Sequence, residues 1–214
     1  LGAMLRFPEI GQVPPGLYHD EAQHGLDALE VLDGRLPLYF EANNGREPLF
    51  VYAVTASVAF LGRNPVAVRL PSAYIGLLTL AAVYDLARTL WRREAGLWAL
   101  GVLTATFWHV HLSRVGFRAV MLPLFTALFL SQAAKAIRRA GTGRRSTGHW
   151  IAAGLLYGAA WYTYMAARFT PIALAVIVGY GLIFHGEHVS KLWRGGLTFA
   201  IAALWILLPL GIYT

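Results

Sequence analysis

Six long apolar segments constrain the fold of this 214-residue chain more than any other feature. Each approaches the ~17 to 25 helical residues that cross the hydrocarbon core of a bilayer. They cover residues 68–90, 96–112, 120–137, 150–167, 169–185 and 196–213. Because 57% of the residues are hydrophobic and only 14% are charged, the sequence predicts an all-α, polytopic membrane protein.

The net charge of +7 comes mainly from Lys and Arg residues in the short loops between these segments. Such loops follow the positive-inside rule, so the charge does not call for a nucleic-acid partner. The absence of cysteine excludes disulfides and thiolate metal sites. His109 and His111 are two residues apart and project from different faces of a helix, which argues against a shared metal ion. We expect no metal site from these residues, and a need for a divalent metal stays open.

The same loops predict the orientation of the chain. If the 14-residue apolar run 48–61 does not cross, ten Lys and Arg residues lie on one face and three on the other. If the run does cross, the acidic loop lies on the same face as these ten basic residues, and the 14-residue helix is barely long enough to span the bilayer. We adopt the first arrangement: residues 1–67 form an external loop with two juxtamembrane helices, and residues 68–214 contain the six spans.

The external loop contains a predicted amphipathic helix at 20–32. Its predicted apolar stripe consists of Ala22, Leu26, Leu29 and Leu32. Asp20 is the expected N-cap, and Gln23 is the expected partner in a capping box. Farther on, Asn43-Asn44-Gly45 predicts a turn that leads into a second helix starting near Pro48.

Two adjacent carboxylates, Asp20 and Glu21, are the expected catalytic residues. An external carboxylate at a membrane surface can take a proton from an alcohol or amine that attacks a lipid-borne electrophile. The alternative is structural: Asp20 caps its helix and Glu21 complements the helix dipole.

Basic residues on the same predicted face are candidates for substrate binding. Arg46 could hold a phosphate and Glu47 could orient an acceptor, or the two could form a loop ion pair. His111, Arg114 and Arg118 lie at the outer end of one span and the hairpin after it. Because Arg114 and Arg118 are four residues apart, a helical turn would aim both at one phosphate. The alternative is that they snorkel to lipid headgroups.

An aromatic stripe on the fourth predicted span ends near Arg168. Its members are Tyr157, Trp161, Tyr162 and Tyr164. Tyr164 and Arg168 could line a cavity for a sugar or prenyl chain. An ordinary interfacial aromatic belt is the alternative explanation.

Four motifs follow one another along the chain: PPGLYHDEA at 14–22, REPL at 46–49, RLPSA at 69–73 and SR at 113–114. This series resembles the glycosyltransferases of the GT-C fold, specifically family 39, which includes protein O-mannosyltransferases and the bacterial aminoarabinose transferase. The resemblance implies a GT-C helix bundle, with this chain as an N-terminal portion that lacks the first span.

The resemblance also implies an activity: inverting transfer of a sugar from a polyprenyl-phosphate donor to a lipid, glycan or protein acceptor, with Asp20 as general base. It implies a bacterial plasma membrane, with the active site on the outer face. A transporter or flippase for lipid-linked or anionic substrates is the alternative, and a noncatalytic membrane subunit is a third. Transporters place their sites near the bilayer midplane, which separates them from an enzyme with surface carboxylates.

Overall fold

The computed structural model describes residues 1–41 and 45–213. Within these ranges the chain is helical, and the isolated antiparallel bridge between Phe40 and Arg46 is the only extended pairing. The α-helices are α1 Gly2–Arg6, α2 His19–Leu32, α3 Leu49–Leu61, α4 Pro65–Leu90, α5 Arg93–Ala105, α6 Phe107–Arg114, α7 Met121–Gly141, α8 Thr147–Ala160, α9 Thr170–Lys191 and α10 Trp193–Tyr213. Short 3-10 turns cover Arg118–Val120 and Met165–Phe169. The predicted turn at Asn43 and Asn44 lies outside the described residues.

Among the described residues, four helical stretches are long and apolar enough to cross a membrane. They are Pro65–Leu90, Arg118–Gly141, Met165–Gly186 and Trp193–Tyr213. Each overlaps one of the predicted spans at 68–90, 120–137, 169–185 and 196–213. The prediction of an all-α, polytopic membrane protein is therefore confirmed.

The other two predicted spans differ from the helices that form. The segment at 96–112 is divided between α5 and α6, because Thr106 has an extended backbone with ψ of 118°. The Thr106 hydroxyl donates to the Val102 carbonyl at 2.8 Å, a local bond of the kind that competes with regular helix. The segment at 150–167 forms α8, which ends at Ala160, before a turn and the second 3-10 element. The Thr163 hydroxyl donates to the Ala160 carbonyl at 2.5 Å and closes that helix end.

The start of α2 is one residue earlier than predicted. Tyr18 is the N-cap, and its backbone N–H donates to the Glu21 carboxylate at 2.8 Å. Gln23 instead donates to Asp27 at 3.0 Å, one turn farther along. The prediction of an Asp20 cap with a Gln23 capping box was wrong, because the carboxylate that reaches back to the cap belongs to Glu21.

The faces of α2 are also not those that its leucines suggest. Leu26 and Leu32 of the predicted stripe are 57% and 46% exposed. Leu29 packs against the apolar core beside Ala28, and the helix also buries a polar edge that contains Glu21, His24 and Asp27. The polar edge is buried because cations on other segments pair with two of those side chains, as described below.

One apolar core joins α2, α3, α4 and α7. Its buried side chains include Ala28, Phe50, Val54, Val68, Ile75 and Leu124. With 13 residues, α3 is about 20 Å long, shorter than the ~30 Å hydrocarbon core. It packs across α2 and α4, and the acidic end of α2 lies beside the start of α4 and the hairpin before α7.

Candidate active site at the first turn of helix α2

A buried ion pair joins α2 to the first half of α4. The Arg69 Nε lies 2.7 Å from Glu21 Oε1, and the Arg69 Nη2 lies 3.1 Å from Glu21 Oε2. Both side chains are almost completely buried. This two-point geometry is the one that guanidinium and carboxylate groups form best. Because a buried ion pair is costly unless its remaining donors and acceptors are satisfied, the other contacts of both residues matter.

Arg69 uses its remaining donors on the segment that leads into α2. It donates to the carbonyls of Ile10 at 3.0 Å and Pro14 at 2.8 Å, and also to that of Gly16. Since these carbonyls come from the loop before Tyr18, Arg69 fixes the path by which the chain enters α2.

Glu21 also accepts from the hairpin that precedes α7. The Gly116 N–H donates to Glu21 Oε1 at 2.8 Å. A side chain at Gly116 would place its Cβ 3.0 Å from Val68 Cγ1 and 3.1 Å from the Val68 carbonyl oxygen. The hairpin can approach α4 this closely only because residue 116 is glycine. Glu21 therefore connects the loop before α2, the hairpin before α7, and α4.

The surroundings of Glu21 favour its ionised form. Burial alone would raise the pKa of the carboxyl, but hydrogen bonds from Arg69, Gly116 and Tyr18 outweigh it and hold the pKa below its ordinary value. Glu21 is therefore an ionised anchor whose oxygens both accept hydrogen bonds, rather than a group poised to take a proton.

A second buried ion pair lies between one and two helical turns farther along the same edge of α2. Arg46 Nη2 is 2.8 Å from Asp27 Oδ2, and both side chains are buried. Burial raises the pKa of Asp27, and the Gln23 amide and Arg46 offset only part of that effect. This pair places the 45–48 segment against α2, with Arg46 bonded to a carboxylate instead of standing open to a phosphate.

His24 lies between the two pairs. It is buried and packs edge-on against Phe50, with ring centroids 5.1 Å apart. Burial, followed by the positive charges of Arg46 and Arg118, lowers its pKa to about 4. Neither ring nitrogen hydrogen-bonds to the part of the chain that the structure describes. At neutral pH His24 is therefore a neutral imidazole within the electrostatic reach of both arginines.

A third set of charges surrounds Glu47. Arg118 Nε lies 3.8 Å from Glu47 Oε2, and Arg168 Nη2 lies 3.8 Å from Glu47 Oε1. The Arg118 guanidinium also stands over the Tyr164 ring at 5.5 Å from its centroid. Glu47 is buried, whereas the Arg168 side chain is 53% exposed. The two guanidinium groups share one carboxylate at distances too long for direct hydrogen bonds. The three side chains together therefore carry a net positive charge that can attract an anion.

Asp20 occupies the first turn of α2 beside the anchored Glu21. Its side chain is 32% exposed, and the Nδ1 of the exposed His19 lies 3.7 Å from its Oδ1. Asp20 also acts electrostatically on His24, as Arg118 does, so these charged groups belong to one neighbourhood. The adjacent carboxylates thus have different surroundings, because Glu21 is buried inside the protein and Asp20 reaches its surface.

The structure does not bring Arg114 and Arg118 to one point. Arg114 ends α6 and donates to the carbonyls of Leu5, Pro8 and Val13 at 2.8 to 3.2 Å, whereas Arg118 begins the next 3-10 turn beside Glu47. The expected helical turn between them is absent, because the chain is extended at Val115. His111 stacks on Phe107 with ring centroids 5.7 Å apart.

Three residues of this neighbourhood were missed by the sequence predictions: Arg69, His24 and Asp27. The sequence contains features that could have identified them. Arg69 lies inside a predicted span, where an ionisable side chain indicates a partner. Asp20, His24 and Asp27 follow the i, i+4, i+7 spacing of one helix face. Across the described ranges no group of three His, Asp or Glu side chains is arranged to hold a metal ion.

Comparison with known proteins gives one family. The sequence model of the family described as dolichyl-phosphate-mannose-protein mannosyltransferase matches residues 45–213. The matched range contains Arg46, Glu47, Arg69, Arg118 and Arg168, whereas α2 lies before it. No curated protein and no solved structure matches the chain.

Proposed function

Because the chain belongs to the dolichyl-phosphate-mannose-protein mannosyltransferase family, we propose that it transfers a sugar from a polyprenyl-phosphate donor to an acceptor on the outer membrane face. At the level that the family gives, it is an integral, multi-pass membrane protein and a glycosyltransferase of the mannosyltransferase type. Its donor is lipid-linked. The inverting chemistry, the base and the face of the membrane are the finer parts of the proposal.

The proposed base is Asp20. Its carboxylate takes the proton of the acceptor hydroxyl or amine as that atom attacks the anomeric carbon of the donor sugar. The bond between this carbon and the phosphate oxygen breaks on the opposite side, and the phosphate keeps the electron pair. One displacement of this kind inverts the anomeric configuration. A positioned base contributes ~10² to 10⁴ in rate.

The observation that carries the proposal is the contrast between the two adjacent carboxylates. Glu21 is buried, ionised and bonded on both oxygens, which fixes the first turn of α2. Asp20 follows directly from that fixed backbone and is 32% exposed. Neighbouring carboxylates in unlike surroundings are a common source of separate roles. We therefore assign Glu21 to positioning and Asp20 to proton transfer.

Arg118 and Arg168 are the proposed partners of the donor phosphate. Both lie 3.8 Å from Glu47, and Arg118 donates to the Gly45 carbonyl through Nη1 at 3.4 Å. Within the described residues their other N–H groups donate no hydrogen bond, so they can contact an anion. Negative charge grows on the phosphate as it leaves, so fixed cations beside it lower the barrier. Arg114 is less suited because its guanidinium donates to three backbone carbonyls, and Arg46 is less suited because its side chain is buried against Asp27.

The position of the charges along α4 supports an enzyme over a transporter. Arg69 belongs to the second turn of α4, and Arg88 lies about 28 Å farther along the helix at 1.5 Å per residue. That length matches the ~30 Å hydrocarbon core, so the carboxylate site belongs to one membrane surface. A transporter site would be expected near the midplane.

The test is transfer by the full-length protein in proteoliposomes. The donors are a mannosyl polyprenyl phosphate and, separately, a sugar nucleotide. We expect transfer from the lipid donor only, with a product whose anomeric configuration is opposite to the donor's. Transfer from the nucleotide alone, or retained configuration, would contradict the proposal.

A matched pair of variants tests the donor site. Arg168→Gln should raise KM for the lipid donor about tenfold, the effect of losing one charge-assisted contact. Arg35→Gln removes the same charge from an exposed pair with Glu30, at 3.2 Å, and should leave KM unchanged. Equal effects of the two variants would mean that only the overall surface charge matters.

A further inference from the structure

A basic cavity lies at the end of α4 that is remote from the carboxylate site. Its volume is about 610 Å³, and it opens between the ends of α4 and α7 and the start of α5. The residues that line it include Tyr84, Arg88, Arg93, Lys135, Arg138 and Arg139. Five of these six side chains are cationic, and they come from three different helices.

The charges of this cavity are only partly compensated. Asp85 lies 2.5 Å from Lys135 Nζ and 2.8 Å from Arg88 Nη2, so one carboxylate serves two cations. Among the side chains that the structure describes, no carboxylate lies within 4.0 Å of the charged groups of Arg93, Arg138 or Arg139. The five cations and one carboxylate leave an excess of about four positive charges, counted by their ordinary ionisation.

Part of the cavity is held rigidly. Arg138 Nη1 donates to the Thr89 carbonyl at 2.6 Å, which fixes that guanidinium at the C-terminal end of α4. Ser131 donates to Asp85 at 2.5 Å, so the carboxylate that holds Lys135 is itself positioned from α7. The wall contributed by α4 and α7 is therefore preorganised, which reduces the entropy lost when a ligand binds.

The positive-inside rule accounts for the membrane face that these cations share with loop residues such as Arg144 and Arg145. It does not account for their convergence on one concavity. Arg88, Lys135 and Arg138 lie on the last turns of α4 and α7 and converge there. Arginine groups from several helices around a cavity suit the oxygens of a phosphate.

We propose that this cavity binds the phosphate of an anionic membrane lipid, in the leaflet opposite the carboxylate site. The depth fits, because the cavity lies about 28 Å along α4 from Arg69, close to the thickness of the hydrocarbon core. Basic pockets between transmembrane helices recognise anionic headgroups in this way. Tyr84 gives the cavity an aromatic side chain at headgroup level.

Thermal unfolding of the full-length protein in detergent tests the proposal. The probes are short-chain phosphatidylglycerol, short-chain phosphatidylcholine and inorganic phosphate. A ligand that binds the folded state stabilises it by RT ln(1 + [L]/Kd), so the Tm rises with the logarithm of the ligand concentration above the Kd. We expect such a rise with phosphatidylglycerol and none with phosphatidylcholine. A rise with inorganic phosphate at the same concentration would assign the cavity to a free anion and overturn the lipid proposal.

Two variants with equal loss of charge complete the test. Arg93→Gln with Arg139→Gln removes two cavity cations whose guanidinium groups donate no hydrogen bond within the described part of the chain. Its Kd for phosphatidylglycerol should rise about ten- to hundredfold. Arg144→Gln with Arg145→Gln removes two loop cations and should leave the Kd unchanged. Equal weakening in both variants, or no weakening in the first, would overturn the proposal.

Discussion

Replacement of Arg69 by methionine is the perturbation whose cost follows most directly from the structure. Methionine gives an apolar side chain of similar length, but it removes the guanidinium from a position with no solvent exposure. Glu21 then remains buried and ionised without its cation. The carbonyls of Ile10, Pro14 and Gly16 lose a donor at the same time.

The expected cost is large. Removing one partner of a buried ion pair costs about 3–5 kcal/mol, because the other charge is left uncompensated. For a chain of this length each kcal/mol shifts the Tm by about 2–4 °C, so Arg69→Met should lower it by roughly 6–20 °C. Glu21→Gln combined with Arg69→Met should cost less than Arg69→Met alone, because no buried charge remains unpaired.

The assay is thermal unfolding of the full-length protein in detergent, followed by its tryptophan fluorescence, to which these 214 residues contribute seven tryptophans. Acid provides a second readout. Because the pKa of Glu21 is lowered in the folded state, its contribution is present above its unfolded pKa, about 4.3, and is lost as the pH falls below it. Wild-type protein should therefore lose more stability at low pH than Glu21→Gln. A Tm of Arg69→Met within about 2 °C of wild type would refute the account, as would simple additivity in the double variant.

Two further predictions concern His24 and the sidedness of the chain. Because burial lowers the pKa of His24 to about 4, wild-type stability should fall between pH 6.5 and 4, and His24→Gln should fall less over that interval; equal pH profiles of the Tm would contradict this. These 214 residues contain no cysteine, so Asp33→Cys and Arg144→Cys can be labelled singly in a cysteine-free background of the full-length protein. A membrane-impermeant maleimide should label Asp33→Cys in intact cells and Arg144→Cys only after permeabilisation, and the reverse pattern would overturn the orientation.

The long helices could be predicted from the sequence because their signal is local. An uninterrupted apolar run specifies a helix in lipid whatever surrounds it. The division at Thr106 and the early end of α8 at Ala160 could not be predicted so readily, because each depends on one threonine hydroxyl that donates a hydrogen bond to a backbone carbonyl. The apolar composition of a segment gives no signal for such a bond.

The candidate site was predictable in its members more than in its arrangement. Arg46, Glu47, Arg118 and Arg168 were identified as charged groups near one surface. Which carboxylate pairs with which arginine depends on contacts between residues far apart in the sequence, such as Glu21 and Arg69, whose sequence separation is 48. The burial of the polar edge of α2 has the same cause, because partners on other segments make it stable.

Replacement of Asp20 by asparagine tests the central assignment most directly, with Asp33→Asn as the control. Asp33 is an exposed carboxyl at the other end of the same helix. The measurement is kcat for transfer from a mannosyl polyprenyl phosphate in proteoliposomes containing the full-length protein. Asp20→Asn should reduce kcat by ~10² to 10⁴ at an unchanged Tm, whereas Asp33→Asn should retain wild-type kcat. Wild-type transfer by Asp20→Asn would contradict its role as the base.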